Sequence, residues 1–240
     1  MDAALPRITI LKTLDGVDAA AWNAVANPPG LAYDPFVSWE FLDAMERSGA
    51  ACPRTGWGGA HLVAHDAGGR LRGAMPMWLK THSRGEFVFD QSWAEAWERA
   101  GGAYYPKLLS AVPFTPVTGR RRLVAPGPDE ALYKSALLQV ALQLVAETGA
   151  SSFHMNFIEE AEAPALEHAG MLIRTDQQFH WQNAGYGSFD NFLATLSSDK
   201  RKNLRKERAR AQEGLEFRHI TGADLSEAHL DIFFEFYMDT

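Results

Sequence analysis

The sequence predicts a mixed α/β fold, on three observations. Short β-branched or aromatic runs alternate with stretches of helical periodicity, Gly and Pro clusters separate them, and an apolar content of 46% with 14 Phe and 7 Trp supplies a core for 240 residues. "RITILK" (7–12) reads as a strand and "VDAAAWNAVA" (17–26) as a helix with Val17, Ala21 and Val25 on one face. "SWEFLDAMERSG" (38–49) reads as a second helix, N-capped by Ser38 and followed by Gly49. "AHLVAHDAGGRLRGAMPMWLK" (60–80) is two strands joined at Ala67-Gly68-Gly69. Pro76 has no N–H for a ladder, so the second strand must be an edge or carry a bulge there.

"GEFVFD" (85–90) reads as a strand, "SWAEAWERAGG" (92–102) as a helix capped by Ser92, and "KLLSAV" (107–112) as another strand. "PFTPVTG" (113–119) is a rigid loop. "DEALYKSALLQVALQLVAETG" (129–149) is a long helix with acids at its start and Gly149 past its end. Then follow a strand (152–158), a helix (159–170) and a long strand (171–185). The character changes at 186: a short capped helix (188–198), a basic helix, a strand "LEFRHI" (215–220) and a helix opening at Ser226. The expected domains are therefore 1–185 and 186–240, the latter the incomplete start of a second domain whose Phe233, Phe234 and Phe236 need cover.

Composition excludes several classes. No apolar run reaches the 18 or so residues of a membrane span, and the first residues lack the pattern of a secretory leader, so a cytoplasmic location is expected. Cys52 is the single cysteine, which rules out an internal disulfide and a cysteine metal cluster. His61 and His65 stand roughly 13 Å apart on a strand, too far to share an ion. No nucleophile elbow, P-loop, H-E-x-x-H or CxxC is present, so no metal is expected.

The basic helix stands against this background. From Asp199 to Glu213 it sets seven Lys or Arg against three acids, in a chain of formal net charge -7. Ser198 is its expected cap and Gly214 its end. Arg201, Arg205 and Arg208 share one face, with Lys202 and Lys206 beside them. A helix this polar is a solvated face, a bridge or an anion contact. An acidic remainder argues against a DNA-binding module, whose basic footprint would be broader.

Several segments together resemble the FemAB-like family of acyltransferases with the GNAT fold, often described as peptidoglycan biosynthesis or recognition proteins. They are "PFVSWEFLDAMERSG" (35–49), "GAMPMWLKTHSRGEFVFDQSWAEAW" (73–97), "GGAYYPKLLSAVPFTPVTG" (101–119), "QFHWQNAGYGSFDNFLATLSSDKRKNLRKER" (178–208) and "FFEFYMDT" (233–240). The resemblance implies a GNAT-like acyl-CoA N-acyltransferase fold and transfer of an acyl or aminoacyl group to the amine of a peptidoglycan precursor. It also implies that relatives continue past the position of Thr240. The pyrophosphate turn [QR]-x-x-G-x-[GA] is missing, its nearest approach being "RAGGAY" (99–104), so the donor is acetyl-CoA or an aminoacyl-tRNA. The alternative is a module that recognises a precursor or RNA without catalysis.

Amide formation needs a group to take a proton and donors to hold an oxyanion. "KTHSRGEFVFD" places Lys80, His82, Glu86 and Asp90 together, and strand alternation would put Glu86, Val88 and Asp90 on one face. Glu86 or Asp90 is the expected base, with His180 of "QFHWQN" a further catalytic candidate. Substrate contacts are expected from His82, Tyr105, Lys107, Thr115, Thr118, Trp181, Lys200, Arg201 and Arg205. The last three sit where the helix dipole favours an anion, such as the phosphates of coenzyme A, a nucleotide-linked precursor or tRNA.

Overall fold

A computed structural model describes residues 6–240. Their order is β1 (Arg7–Leu11), α1 (Ala19–Ala26), α2 (Trp39–Arg47), β2 (Trp57–Gly59), β3 (His61–His65), β4 (Leu71–Met75), β5 (Trp78–Lys80) and α3 (Gln91–Arg99). Then come β6 (Lys107–Ser110), β7 (Leu123–Val124), α4 (Glu130–Thr148), β8 (Phe153–Met155), α5 (Ala163–His168), α6 (Phe189–Ala194), α7 (Ser198–Gln212) and α8 (Glu227–Asp239). The mixed α/β class follows. The chain forms two compact units, the first ending at Arg174 and the second running from Thr175 to Thr240.

The first unit contains two four-stranded sheets, ordered β1-β3-β4-β7 and β2-β5-β6-β8. One hairpin builds both. β3 pairs with β4, and its upstream continuation β2 pairs with β5, the downstream continuation of β4. The change of sheet falls at Ala60 on one strand and at Pro76-Met77 on the other, where Ala60 N–H still donates to Met77 O at 2.8 Å. Pro76 therefore sits where a ladder donor is not needed, and its carbonyl accepts from Ser110 Oγ at 2.8 Å. His61 fastens the break: its Nδ1 accepts Met77 N–H at 3.2 Å and its Nε2 lies 2.7 Å from Glu46 Oε1. The proton of a neutral ring then belongs on Nε2.

Strand alternation divides the core. Val63, Ala74, Trp78 and Leu109 pack with Trp22 and Val25 of α1 and Leu42 of α2. Leu62, Met75, Met77 and Leu108 pack with Leu137, Ala141 and Leu144 of α4. Ser38 caps α2 by accepting Phe41 N–H, and Gly149 ends α4 with φ +68. The hairpin turn is held by Asp66 Oδ1, which accepts Gly68 and Arg70 N–H, both at 3.0 Å.

Several expectations fail. Residues 85–90 form a loop, because Ser83, Glu86 and Asp90 turn inward onto a lysine while Phe87, at φ +56, and Phe89 face solvent. No strand forms over 171–185 or 215–220, whose alternating side chains are mostly exposed and pair with no sheet edge. Helix α3 begins at Gln91, so Ser92 is inside it, and Ser198 is the first residue of α7 after an N-cap at Ser197. The short strands β2 and β7 have no sequence signal strong enough to predict them.

In the second unit α7 exposes its cationic length. Leu204 and Arg201 are half-buried, Arg205 Nη2 lies 2.9 Å from Asp190 Oδ1, and the Arg208 guanidinium lies 4.5 Å from the centre of the Phe189 ring. The predicted arginine face is thus the face that packs on α6. Phe233, Phe234 and Phe236 of α8 are exposed.

Candidate active site

The register of β2, β5 and β6 sets Trp57 opposite Lys80 and Lys80 opposite Lys107. Directly opposed residues share a face of the sheet, so three large side chains form a row at one end of the second sheet. Both lysines have no exposed surface. Like charges opposite one another are destabilising, and two ammonium groups out of water need compensation. The loop after β5 supplies it for Lys107.

Lys107 Nζ lies 2.6 Å from Asp90 Oδ2, 2.9 Å from Glu86 Oε2 and 2.9 Å from Ser83 Oγ. Tyr104 OH also donates to Asp90 Oδ2, at 2.9 Å, and Tyr105 OH shares a hydrogen bond with Ser83 Oγ at 2.8 Å. Lys80 has a different environment. Its Nζ donates to Arg84 O at 3.3 Å and sits 3.5 Å from the centre of the Trp57 ring.

The two carboxylates differ. Burial opposes the charge of Asp90, but hydrogen bonds from Lys107, Ser83 and Tyr104 outweigh it and hold its carboxyl below the usual range. Burial pushes the Glu86 carboxyl up against the pull of Lys107. Glu86 Oε2 is within ion-pair distance of Lys107 yet off the hydrogen-bond direction, so neither Glu86 oxygen has a hydrogen-bond donor; nor does Asp90 Oδ1. Trp57 Nε1 is likewise buried without an acceptor. Burial lowers Lys80 to about 7, Glu86 opposing and Lys107 and Arg84 assisting. His154, on β8, is lowered to about 4 by burial and then by Lys107, and its Nε2 lies 2.8 Å from Ser152 Oγ.

The structure thus brings together Glu86, Asp90, Lys107 and Tyr105 of the sequence-predicted set. His82 is close by: its ring covers Gly56, where an added Cβ would meet it at 2.4 Å, and its Nδ1 accepts Arg84 N–H. Burial, followed by Lys80 and Arg84, lowers His82. Thr115 Oγ1 is bonded to Pro113 O, and Thr118 is exposed; their loop joins the 81–90 segment through Phe114 N–H to Gly85 O at 3.1 Å. His180, Trp181, Lys200, Arg201 and Arg205 belong to the second unit. There His180 bonds Gln178 Oε1, Trp181 packs edge-on against Phe192, and Arg201 Nη2 donates to Leu196 O.

Sequence reasoning missed Ser83, Trp57 and His154 as members of the cluster; Tyr104 is legible in "YYPK", which sets Lys107 beside two rings. The sequence groups Lys80 with Glu86 and Asp90 only by proximity along the chain. The inward alternation of Trp57 and Lys107 becomes a signal once the strand register is known. Among the described residues no group of three His, Cys, Asp or Glu stands close enough to hold a metal ion, and no helix is long and apolar enough to cross a membrane.

No curated protein matches the sequence. Solved structures similar to the chain include an acetyltransferase of Trypanosoma brucei, 13% identical, covering 74% of this chain and 99% of that one with a TM-score of 0.39. Others are an aminoglycoside antibiotic 6′-N-acetyltransferase of Acinetobacter baumannii (11%, 76% and 99%, TM-score 0.40) and a glucosamine-6-phosphate N-acetyltransferase of Arabidopsis thaliana (9%, 74% and 99%, TM-score 0.39). The fold assigned above rests on the chain's own strand pairing. The FemAB-like profile, described as peptidoglycan biosynthesis/recognition, matches residues 13–240. With so nearly complete a match, the chain belongs to the FemAB-like family.

Proposed function

We propose that this chain is an N-acyltransferase of GNAT-like type, moving an acyl or aminoacyl group from acetyl-CoA or an aminoacyl-tRNA to an amine of a peptidoglycan precursor. The observation that carries the reading is Glu86, a buried carboxylate whose oxygens lack hydrogen-bond donors and whose proton affinity is raised by burial. An amine attacking an activated acyl carbon must lose a proton, and Glu86 is the acceptor suited to take it. Lys107 acts through Glu86, holding it beside Asp90, while Ser83 and Tyr105 fix the lysine. His82, Thr115 and Thr118 line the loops around this cluster and serve as acceptor contacts. In the second unit the exposed Lys200 with Arg201 and Arg205 contacts phosphates of the donor, and His180 and Trp181 supply a hydrogen bond and a stacking face.

The test is transfer of labelled acetyl or aminoacyl groups to a precursor amine, with both donors supplied. Glu86→Gln should lower the rate about 100-fold or more with an unchanged circular dichroism spectrum, and Arg201→Ala with Arg205→Ala should weaken donor binding. The family description also covers recognition, and the complete enclosure of Lys107 favours that second reading. Absence of transfer from either donor, alongside retained precursor binding, would establish recognition instead.

A further inference from the structure

We propose that Lys80 is a site of reversible carbamylation by carbon dioxide. Two opposed lysines stand in contrasting surroundings. Lys107 donates to Asp90 and Ser83 and lies within ion-pair distance of Glu86, whereas Lys80 has, beside the face of the Trp57 ring, a single carbonyl partner at 3.3 Å, and no carboxylate among the described residues lies within ion-pair distance of it. A fully buried amine so poorly compensated favours its neutral, nucleophilic form, and its lowering to about 7 agrees. The groups facing it are Trp57 on β2, Lys107 on β6, and His82, Arg84 and Glu86 on the following loop. Any electrophile reaching this enclosed nitrogen must be small and uncharged. Carbon dioxide is both.

The second observation is Trp57 Nε1, a buried donor with no acceptor, on the ring against which Lys80 Nζ rests. A buried N–H of this kind is costly until an acceptor arrives. A carbamate on Lys80 would bring two anionic oxygens into that vicinity, flanked by Lys107 across the strand pair. In the step the Nζ lone pair forms a bond to the carbon of carbon dioxide. One C=O π pair moves onto oxygen; Nζ releases a proton to solvent, and the Glu86 carboxylate, whose proton affinity burial raises, takes one up from solvent. The negative charge gained at Lys80 is matched by the one neutralised at Glu86, so the total charge of the buried cluster does not change. This modification goes beyond the transfer reading and stands without it.

The experiment is 13C NMR of the full chain equilibrated with 13C-bicarbonate near pH 8. A saturable carbamate resonance is expected, lost on acidification and absent in Lys80→Arg. Trp57→Phe should lower its occupancy about fivefold, the worth of one hydrogen bond; unchanged occupancy removes the indole from the proposal. Should Lys80→Arg fail to fold, trapping the wild-type carbamate with triethyloxonium and mapping the ethyl carbamate by peptide mass spectrometry gives the same answer, because the label must fall on Lys80. A folded wild-type protein with no carbamate resonance, a resonance that survives in Lys80→Arg, or a label confined to other amines would overturn the assignment.

Discussion

Lys107 illustrates how a charge can be held where water cannot reach it. Three oxygens within 2.9 Å surround its ammonium, two of them carboxylate oxygens that would themselves be stranded without it. Breaking such a buried set from one side leaves uncompensated charge, and Lys107→Met should therefore cost about 3–5 kcal/mol in urea unfolding. A loss below about 1 kcal/mol, the range of an exposed pair, would mean that water enters the cluster. Lys80 gives a pH signature of opposite origin. Burial penalises its ammonium form, so between about 7 and the ordinary lysine value of about 10.4 the unfolded chain binds more protons than the native state. Stability should rise with pH across that window, and below it the penalty is fully present. In CO2-free buffer the urea midpoint of the wild type should climb from pH 7 to pH 10 relative to that of Lys80→Met. Parallel curves for the two proteins would contradict the shift.

At the scale of elements, the hairpin that crosses between sheets depends on one side chain as much as on its strands. His61 satisfies Met77 N–H where Pro76 interrupts the ladder and reaches Glu46 of α2, whose other carboxylate oxygen accepts Leu14 N–H at 2.8 Å. The His61 ring is fully buried and lies edge-on to Trp78, 4.6 Å between centroids. His61→Ala would orphan a buried amide, remove a donor from Glu46 and open a cavity, a combined cost of about 2–4 kcal/mol measurable by thermal or chemical unfolding. The Arg205–Asp190 pair of the second unit is more than half exposed on both sides, and such pairs contribute about 1 kcal/mol or less. The basic helix is therefore not explained by the stability it lends. Pro76 was legible as an interruption, because proline lacks a donor in any context. That the interruption marks a transfer from one sheet to another was not legible, since it depends on which strands lie alongside.

At the scale of the whole molecule, residues 171–185 have no regular structure and are mostly exposed, and they contain the division between the two compact units. Exposed segments without backbone partners are where proteases act, so limited trypsin digestion should cut first at Arg174 and yield a resistant fragment ending there. First cleavage inside the β3–β4 hairpin, for instance at Arg70 or Arg72, would contradict this ordering of local stability. The sequence by itself determined the mixed α/β class, the helices with the Ser38 cap of α2 and the Gly149 end of α4, the polar character of α7 and the grouping of Glu86 with Asp90, because periodicity, turn chemistry and charge are local properties of a chain. It also placed an alternating strand over 85–90 where the chain forms a loop, since alternation alone does not distinguish a strand from a segment whose acids are drawn inward. Only the tertiary structure decided that Trp57, Lys80 and Lys107 form one row and that Ser83, Tyr104 and Tyr105 complete it. Those contacts join residues far apart in the chain: strand register aligns the row, and the cost of leaving the buried Lys107 ammonium without partners draws Ser83, Glu86 and Asp90 onto it.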